Sequence, residues 1–360
     1  MQRKKISLIF LAVVLVGFMF SIKETRPAHA FPACSGKACA VIEVNSGKIL
    51  YEKNADARLP MASTTKIATA ITVIENCDIS MTVKVPQEAQ GVEGSSIYLK
   101  AGETLTVKEL LYGLMLQSGN DSAVALAVAV GGSVENFAEM MNKTARKCGA
   151  ENTHFVNPHG LHDDKHYTTA HDLALISVHA MKNPEFRNIV SAKSAEISNE
   201  GTGHNRIIYN KNKLLKNLDG ATGVKTGYTK AAGRCFVGSA KKGNMELICV
   251  LLNCGPMFEE CKEILQYGLS HYTITDIVVK NELVGYFRPV NSDKYYVAAA
   301  SEGFSNITQA DEKEEIRKEV VFYDNIAVPL KSGSVVGILK VYREKELLFS
   351  TKLYNIEDIK

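Results

Sequence analysis

The order in which two kinds of hydrophobic periodicity follow one another does most to restrict the fold of this chain. Two β-type runs, residues 40–44 and 49–53, flank the turn-forming tetrapeptide Asn45-Ser46-Gly47-Lys48 and predict a hairpin. A second such pair, residues 236–240 and 245–252, flanks Lys241-Lys242-Gly243-Asn244 far downstream. Between the pairs the pattern is helical: Ile67, Ala70, Ile71 and Ile74 recur at three- and four-residue intervals and share one face. Strands at both ends with helices between them fit alternating βαβ units poorly. They predict an α+β fold, an antiparallel sheet flanked by helices.

Local signals fill in this outline. Thr106-Val107-Lys108-Glu109 has the form of a capping box, and Leu110, Leu111, Leu114 and Met115 form the apolar stripe of the helix it opens. Gln117-Ser118-Gly119-Asn120 breaks that stripe, and residues 123–130 are apolar on every side, as in a helix packed within a helical layer. Thr169-Ala170-His171-Asp172 caps a helix running to His179, Asn183-Pro184 starts another, and residues 263–271 read as a closing helix. Past residue 275, short β-branched and aromatic runs (277–279, 295–298, 319–323, 335–342 and 347–351) predict a small all-β domain. The charged stretch 311–318 reads as a solvated loop or helix face. The expected organisation is a signal peptide over 1–30, a catalytic domain over 31–274 and a β-rich domain over 275–360.

The signal reading rests on Arg3, Lys4 and Lys5 ahead of an apolar run from residue 6 to 22, followed by the small-residue site Ala28-His29-Ala30. Seventeen apolar residues also suffice for an uncleaved signal anchor, the one route by which this chain would meet a membrane. The formal net charge of +3 belongs to this segment. Without its five Lys/Arg and one Glu the chain is nearly neutral, and nothing in its balance argues for nucleic acid. Eight cysteines in an exported chain invite disulfides. Cys34 and Cys39 flank a short loop and are a possible pair, but Cys235 and Cys249 fall in apolar runs, so mostly reduced, structural thiols are expected. No C-x-x-C occurs, and no histidine stands near Cys249, Cys254 or Cys261 to complete a zinc site.

Three short motifs carry chemistry. In Ser63-Thr64-Thr65-Lys66 a hydroxyl and an amine lie one helical turn apart on one face, the arrangement of a nucleophile and its base. A lysine accepts a proton near neutral pH only if burial or neighbouring positive charge lowers its pKa. Such a tetrapeptide alone more often marks a helix cap with a surface lysine. Ser118-Gly119-Asn120 offers a hydroxyl and an amide at a break between helices. In Lys225-Thr226-Gly227 a fixed positive charge and a hydroxyl suit a carboxylate, and Gly227 lets a ligand backbone approach.

In this order the three motifs resemble those of penicillin-recognising serine enzymes. Their surroundings narrow the likeness: residues 61–66, 117–123, 155–161, 167–173 and 224–229 look like the blocks of the serine-type D-alanyl-D-alanine carboxypeptidases, the low-molecular-mass penicillin-binding proteins of peptidase family S11. The resemblance is strong over about residues 36–272 and looser beyond. It implies a β-lactamase/transpeptidase-like domain with an α-helical subdomain, followed by a small all-β domain. It makes Ser63 the acylated nucleophile, Lys66 its base and Ser118 the relay to the leaving nitrogen. Asn120 would hold the substrate amide, Lys225, Thr226 and Gly227 the carboxylate end, and the backbone N–H groups of Ser63 and Tyr228 the oxyanion. The implied substrates are peptidoglycan stem peptides, with β-lactams as covalent inhibitors, no cofactor, no metal, and a location outside the cytoplasm.

Rival readings are a β-lactamase or a D,D-endopeptidase on the same fold, or a non-catalytic penicillin-sensing wall-binding protein. His154, His159, His162, His166 and His171 crowd one stretch, but their spacing mixes loop and helix-start positions and does not read as a metal set. The chain also departs from its relatives in two respects. Residues 347–351 look like a strand and the last residues are polar, so no amphipathic membrane anchor is expected there, and residues 253–265 contain no arginine of the kind some members use to grip the carboxylate.

Overall fold

The first turn joins two strands as expected, β1 (Ala38–Glu43) and β2 (Ile49–Lys53), with Gly47 supplying a positive φ. The computed structural model describes residues 30–198, 205–312 and 314–360, so the expected signal peptide, Ala30 apart, lies outside the described residues. Contacts join Pro32–Lys360 into one compact unit. After β2 a 3₁₀ turn, Ala62–Thr65, leads into α1 (Lys66–Asn76). The expected helix therefore begins three residues after Ser63, and the serine rides on the tighter turn.

The helical block follows. A short ribbon pairs β3 (Thr82–Lys84) with β4 (Thr104–Thr106), and α2 (Val107–Tyr112) opens on the predicted capping box. Its end is a π-turn, Gly113–Gln117, and then α3 (Asn120–Gly131) and α4 (Val134–Lys147) pack against α1. Thr169 caps α5 (Ala170–Met181), and Asn183 with Pro184 starts α6 (Pro184–Ser191), both as read from the sequence. A second ribbon, β5 (Ser194–Ile197) with β6 (Arg206–Tyr209), and a short α7 (Leu214–Asn217) lead to three long strands. These are β7 (Ala221–Thr229), β8 (Gly233–Lys242) and β9 (Met245–Leu252). They complete an antiparallel sheet in the order β2-β1-β9-β8-β7.

Period-two alternation gives this sheet two buried faces. Ala38, Ala40, Ile42, Ile248, Val250 and Leu252 join the main core with α1 and α5. The alternate residues, Cys39, Val41, Cys249 and Leu251, face the other way, where α8 (Met257–His271) packs on β8 and β9. Contact there is close enough that a Cβ on Gly238 would overlap the Cys261 sulfur. The helix begins well before the predicted residue 263, because Pro256 precedes it and Glu259 and Glu260 occupy its first turn.

The rest is all β, as expected, with more strands than the sequence showed. They are β10 (Tyr272–Val278), β11 (Leu283–Phe287), β12 (Tyr296–Ala300), β13 (Phe304–Gln309), β14 (Ile316–Phe322), β15 (Val335–Arg343) and β16 (Glu346–Asn355). Five form a sheet in the order β11-β12-β16-β15-β14, and β10 pairs with β13. Residues 316–318, expected in a loop or helix, instead begin β14. That strand is an edge, where Arg317 and Lys318 reach solvent while the backbone pairs with β15. All eight cysteines are free thiols, Cys34 and Cys39 included.

One buried carboxylate fixes the loop over the helical block. Asp121, 1% exposed, accepts from Ser96 Oγ at 2.6 Å and from the N–H groups of Ile97, Leu99 and Ser122 at 3.0, 3.1 and 2.8 Å. Each buried donor left unpaired costs about 1–3 kcal/mol. Asp121→Ala should therefore lose at least about 3 kcal/mol of stability in urea unfolding; a loss below about 1 kcal/mol would contradict this account of the loop.

Candidate active site

Local strain places Ser63. Ala62 holds φ +50°, a conformation costly for a residue with a Cβ. Neighbours over-determine it: Thr64 Oγ1 donates to the Met61 carbonyl at 2.7 Å and Thr65 Oγ1 to the Ala62 carbonyl at 2.8 Å. Gly160, itself at φ +88°, lies so close that a Cβ would overlap the Ala62 carbonyl oxygen. Behind the turn, His166 Nε2 sits 2.8 Å from Thr65 Oγ1, and its Nδ1 accepts from the Val156 N–H at 3.1 Å. Burial pushes this imidazole down to about 3, so it stays neutral and serves as a wall.

Lys66, the first residue of α1, is fully buried. Its Nζ lies 3.0 Å from Ser63 Oγ, 2.7 Å from Asn120 Oδ1 and 2.7 Å from the His159 carbonyl oxygen. Burial drives its pKa well below the ordinary lysine value, and the positive charges of Lys225 and Lys211 push it the same way against the opposing pull of Asp121. The three partners then acquire distinct roles. A neutral amine has two N–H bonds and one lone pair. The His159 carbonyl and Asn120 Oδ1 can only accept, so they take the two N–H bonds. The lone pair is left for the Ser63 hydroxyl.

The second motif contributes from the helix break. Ser118 closes the π-turn at φ +65° and Asn120 begins α3. Besides holding Lys66, the Asn120 amide donates from Nδ2 to the Glu93 carbonyl at 2.5 Å. Both ends of the amide assigned to substrate are thus already engaged. Ser118 is 6% exposed, and among the described residues no hydrogen bond ties it or Lys225 directly to the Ser63, Lys66 and Asn120 set.

The third motif lies on edge strand β7. A Cβ on Gly227 would stand 2.9 Å from the Ser63 nitrogen, so glycine allows the strand to run against the serine turn. Lys225 is 1% exposed and donates to the Thr226 carbonyl at 3.0 Å. Burial, with Lys211 adding to it, brings Lys225 down to about 7. Its charge is therefore not the fixed one expected from the motif. Thr226 is half-buried beside it, and the Tyr228 ring is exposed.

Three participants escaped the sequence. Lys211 anchors on the Gln117 carbonyl at 2.8 Å and lowers both other lysines. Within Lys211-Asn212-Lys213 it belongs to no motif that would mark it. The His159 and Glu93 contributions are main-chain carbonyls, which leave no residue-type signal. The His159 ring is also held neutral, down to about 4, by burial and then by Lys66.

The chain is similar to known proteins over nearly its whole length. The family model for D-alanyl-D-alanine carboxypeptidase matches residues 24–255, and that for the C-terminal domain of penicillin-binding protein 5 matches residues 272–360. D-alanyl-D-alanine carboxypeptidase DacF of Bacillus subtilis is 32% identical over 371 residues, covering 100% of this chain and 95% of that protein. DacC of Escherichia coli is 33% identical over 339 residues, covering 89% and 82%. Penicillin-binding protein 5 from Haemophilus influenzae superimposes with a TM-score of 0.76 at 28% identity, over 91% of this chain and 98% of that one. The chain belongs to the D-alanyl-D-alanine carboxypeptidase family and is a serine-type carboxypeptidase with the transpeptidase fold of the penicillin-binding proteins.

Proposed function

We propose that this enzyme is exported and removes the terminal D-alanine from peptidoglycan stem pentapeptides through an acyl-enzyme on Ser63. The observation that carries the reading is the Lys66 amine, buried, depressed in pKa and 3.0 Å from Ser63 Oγ. Lys66 takes the hydroxyl proton as Ser63 Oγ attacks the penultimate D-alanine carbonyl carbon. The Ser63 and Tyr228 N–H groups receive the developing oxyanion. Ser118 relays the proton held by Lys66 to the leaving nitrogen, the C–N bond breaks and D-alanine departs. Water then attacks the ester carbonyl, its proton passing through Lys66 to Ser63 Oγ as the acyl bond breaks.

Substrate is held by Asn120 at the amide, after exchange with Glu93, and by Lys225, Thr226 and Gly227 at the terminal carboxylate. A β-lactam takes the same course to the acyl-enzyme, with its leaving nitrogen still tethered. The basic and apolar N-terminal run supports export. In this reading residues 31–274 act as the catalytic domain and residues 275–360 as a separate β-rich one.

Mass spectrometry after benzylpenicillin should place one adduct on Ser63, and D-alanine should be released from a D-Ala-D-Ala peptide. Ser63→Ala should lose both, and Lys66→Ala should acylate roughly a hundred- to ten-thousandfold more slowly. An adduct elsewhere, or D-alanine release surviving in Ser63→Ala, would reject the assignment.

The lysines also set a pH profile. Acylation requires neutral Lys66, so kcat/KM rises from the acid side as that proton leaves. Carboxylate binding requires charged Lys225, so kcat/KM falls above about pH 7. Lys225→Arg should remove the alkaline fall, because guanidinium does not titrate there. Lys211→Ala should move both limbs to higher pH, because its charge lowers both lysines. Limbs that stay in place in Lys211→Ala would refute this electrostatic coupling.

A further inference from the structure

On the α8 side of the sheet, away from the serine turn, the fold gathers thiols that the proposed chemistry does not use. Cys34, Cys254 and Glu260 bring two sulfurs and a carboxylate oxygen within 4.8 Å of one another. Cys254 Sγ lies 3.1 Å from Glu260 Oε2 and 3.7 Å from Ser35 Oγ, and the Ser35 N–H donates to Glu260 Oε2 at 2.9 Å. Both sulfurs are buried, while Glu260 is partly exposed and gives the cluster an opening. The two cysteines stand at opposite ends of the catalytic region, which is why spacing along the sequence showed no ligand set.

Two protein sulfurs and one carboxylate at such separations match the donors and dimensions of a site for a borderline-soft divalent cation, with Zn–S near 2.3 Å and Zn–O near 2.0–2.2 Å.

We propose that Cys34, Cys254 and Glu260 form a zinc site, distinct from the Ser63 cleft, with solvent completing the coordination. Binding replaces two S–H bonds by two S–Zn bonds and releases two protons; no electron is transferred. Its place in the fold gives it a structural consequence. Segment 32–37 meets β9 through the Lys37 N–H to Asn253 carbonyl bond of 3.3 Å, and Cys254 N–H donates to the Arg234 carbonyl at 2.8 Å. Arg234 returns a bond to the Gly255 carbonyl at 2.9 Å and pairs in register with Tyr228. The cation therefore braces the end of the sheet row that finishes at Tyr228.

The test uses the purified full chain, reduced with a phosphine and stripped with a chelator. Zn²⁺ should bind with one-to-one stoichiometry, release about two protons and raise the melting temperature. Co²⁺ in its place should show sulfur-to-metal charge-transfer absorption and tetrahedral d–d bands. Cys34→Ser, Cys254→Ser and the milder Glu260→Gln should each weaken binding at least about tenfold, whereas Cys148→Ser, at the end of α4, should not. Three results would overturn the proposal: no stoichiometric binding by the reduced chain, undiminished affinity in the Cys34→Ser/Cys254→Ser double variant, or a Cys34–Cys254 disulfide in chain isolated without reductant. None depends on the Ser63 chemistry, so failure here leaves the carboxypeptidase reading intact.

Discussion

A lysine amine buried without a bonded carboxylate is the constraint from which the site follows. An ammonium in that position would carry a desolvation cost of several kcal/mol. Two of the three charged groups that bear on Lys66, Lys225 and Lys211, are themselves cations, so their fields deepen the effect instead of relieving it. The least costly state is the neutral amine. Once it is neutral, its bonding capacity decides which neighbour takes which role, and Ser63 is the group left to meet the lone pair. In the proposed mechanism the activation of Ser63 is thus a property of packing before it is a property of any one residue.

The surrounding fold holds that amine in register. The strained Ala62 turn is locked by its own threonine hydroxyls and by Gly160, and Gly227 lets the edge strand come up against the serine. The opposite wall depends on Asp121, whose carboxylate gathers three backbone N–H groups and so fixes the loop from which Glu93 reaches Asn120. Around Ser63, the strained φ of Ala62 and the close approaches of Gly160 and Gly227 are supported by the regular structure on either side.

Much of this was legible in the sequence, and the misses have physical causes. The capping box at Thr106 and Glu109, the cap at Thr169 and the Asn183-Pro184 start are local hydrogen-bond signals, and they stand where they were read. The two hairpins of the β2-β1-β9-β8-β7 sheet were legible because each places turn residues between period-two runs. The β-rich tail was read less completely. Gly285 interrupts β11, β13 alternates with polar residues, and β14 is an edge strand whose charges look like a loop. At the site, side chains in motifs were found and main-chain carbonyls were not. Lys211 and the Cys34, Cys254 and Glu260 cluster were missed because tertiary proximity, which no spacing rule encodes, gives them their meaning.

The most direct measurement is the titration of Lys66 itself in the ligand-free enzyme. With ¹³Cε-labelled lysine and Lys66→Arg to assign the resonance, the Lys66 signal should titrate far below the ordinary lysine value of 10.5. It should also move to higher pH when Lys211 is replaced by alanine. A Lys66 resonance that titrates at the ordinary value would mean that the buried group keeps its proton, and the account of how Ser63 is activated would be wrong.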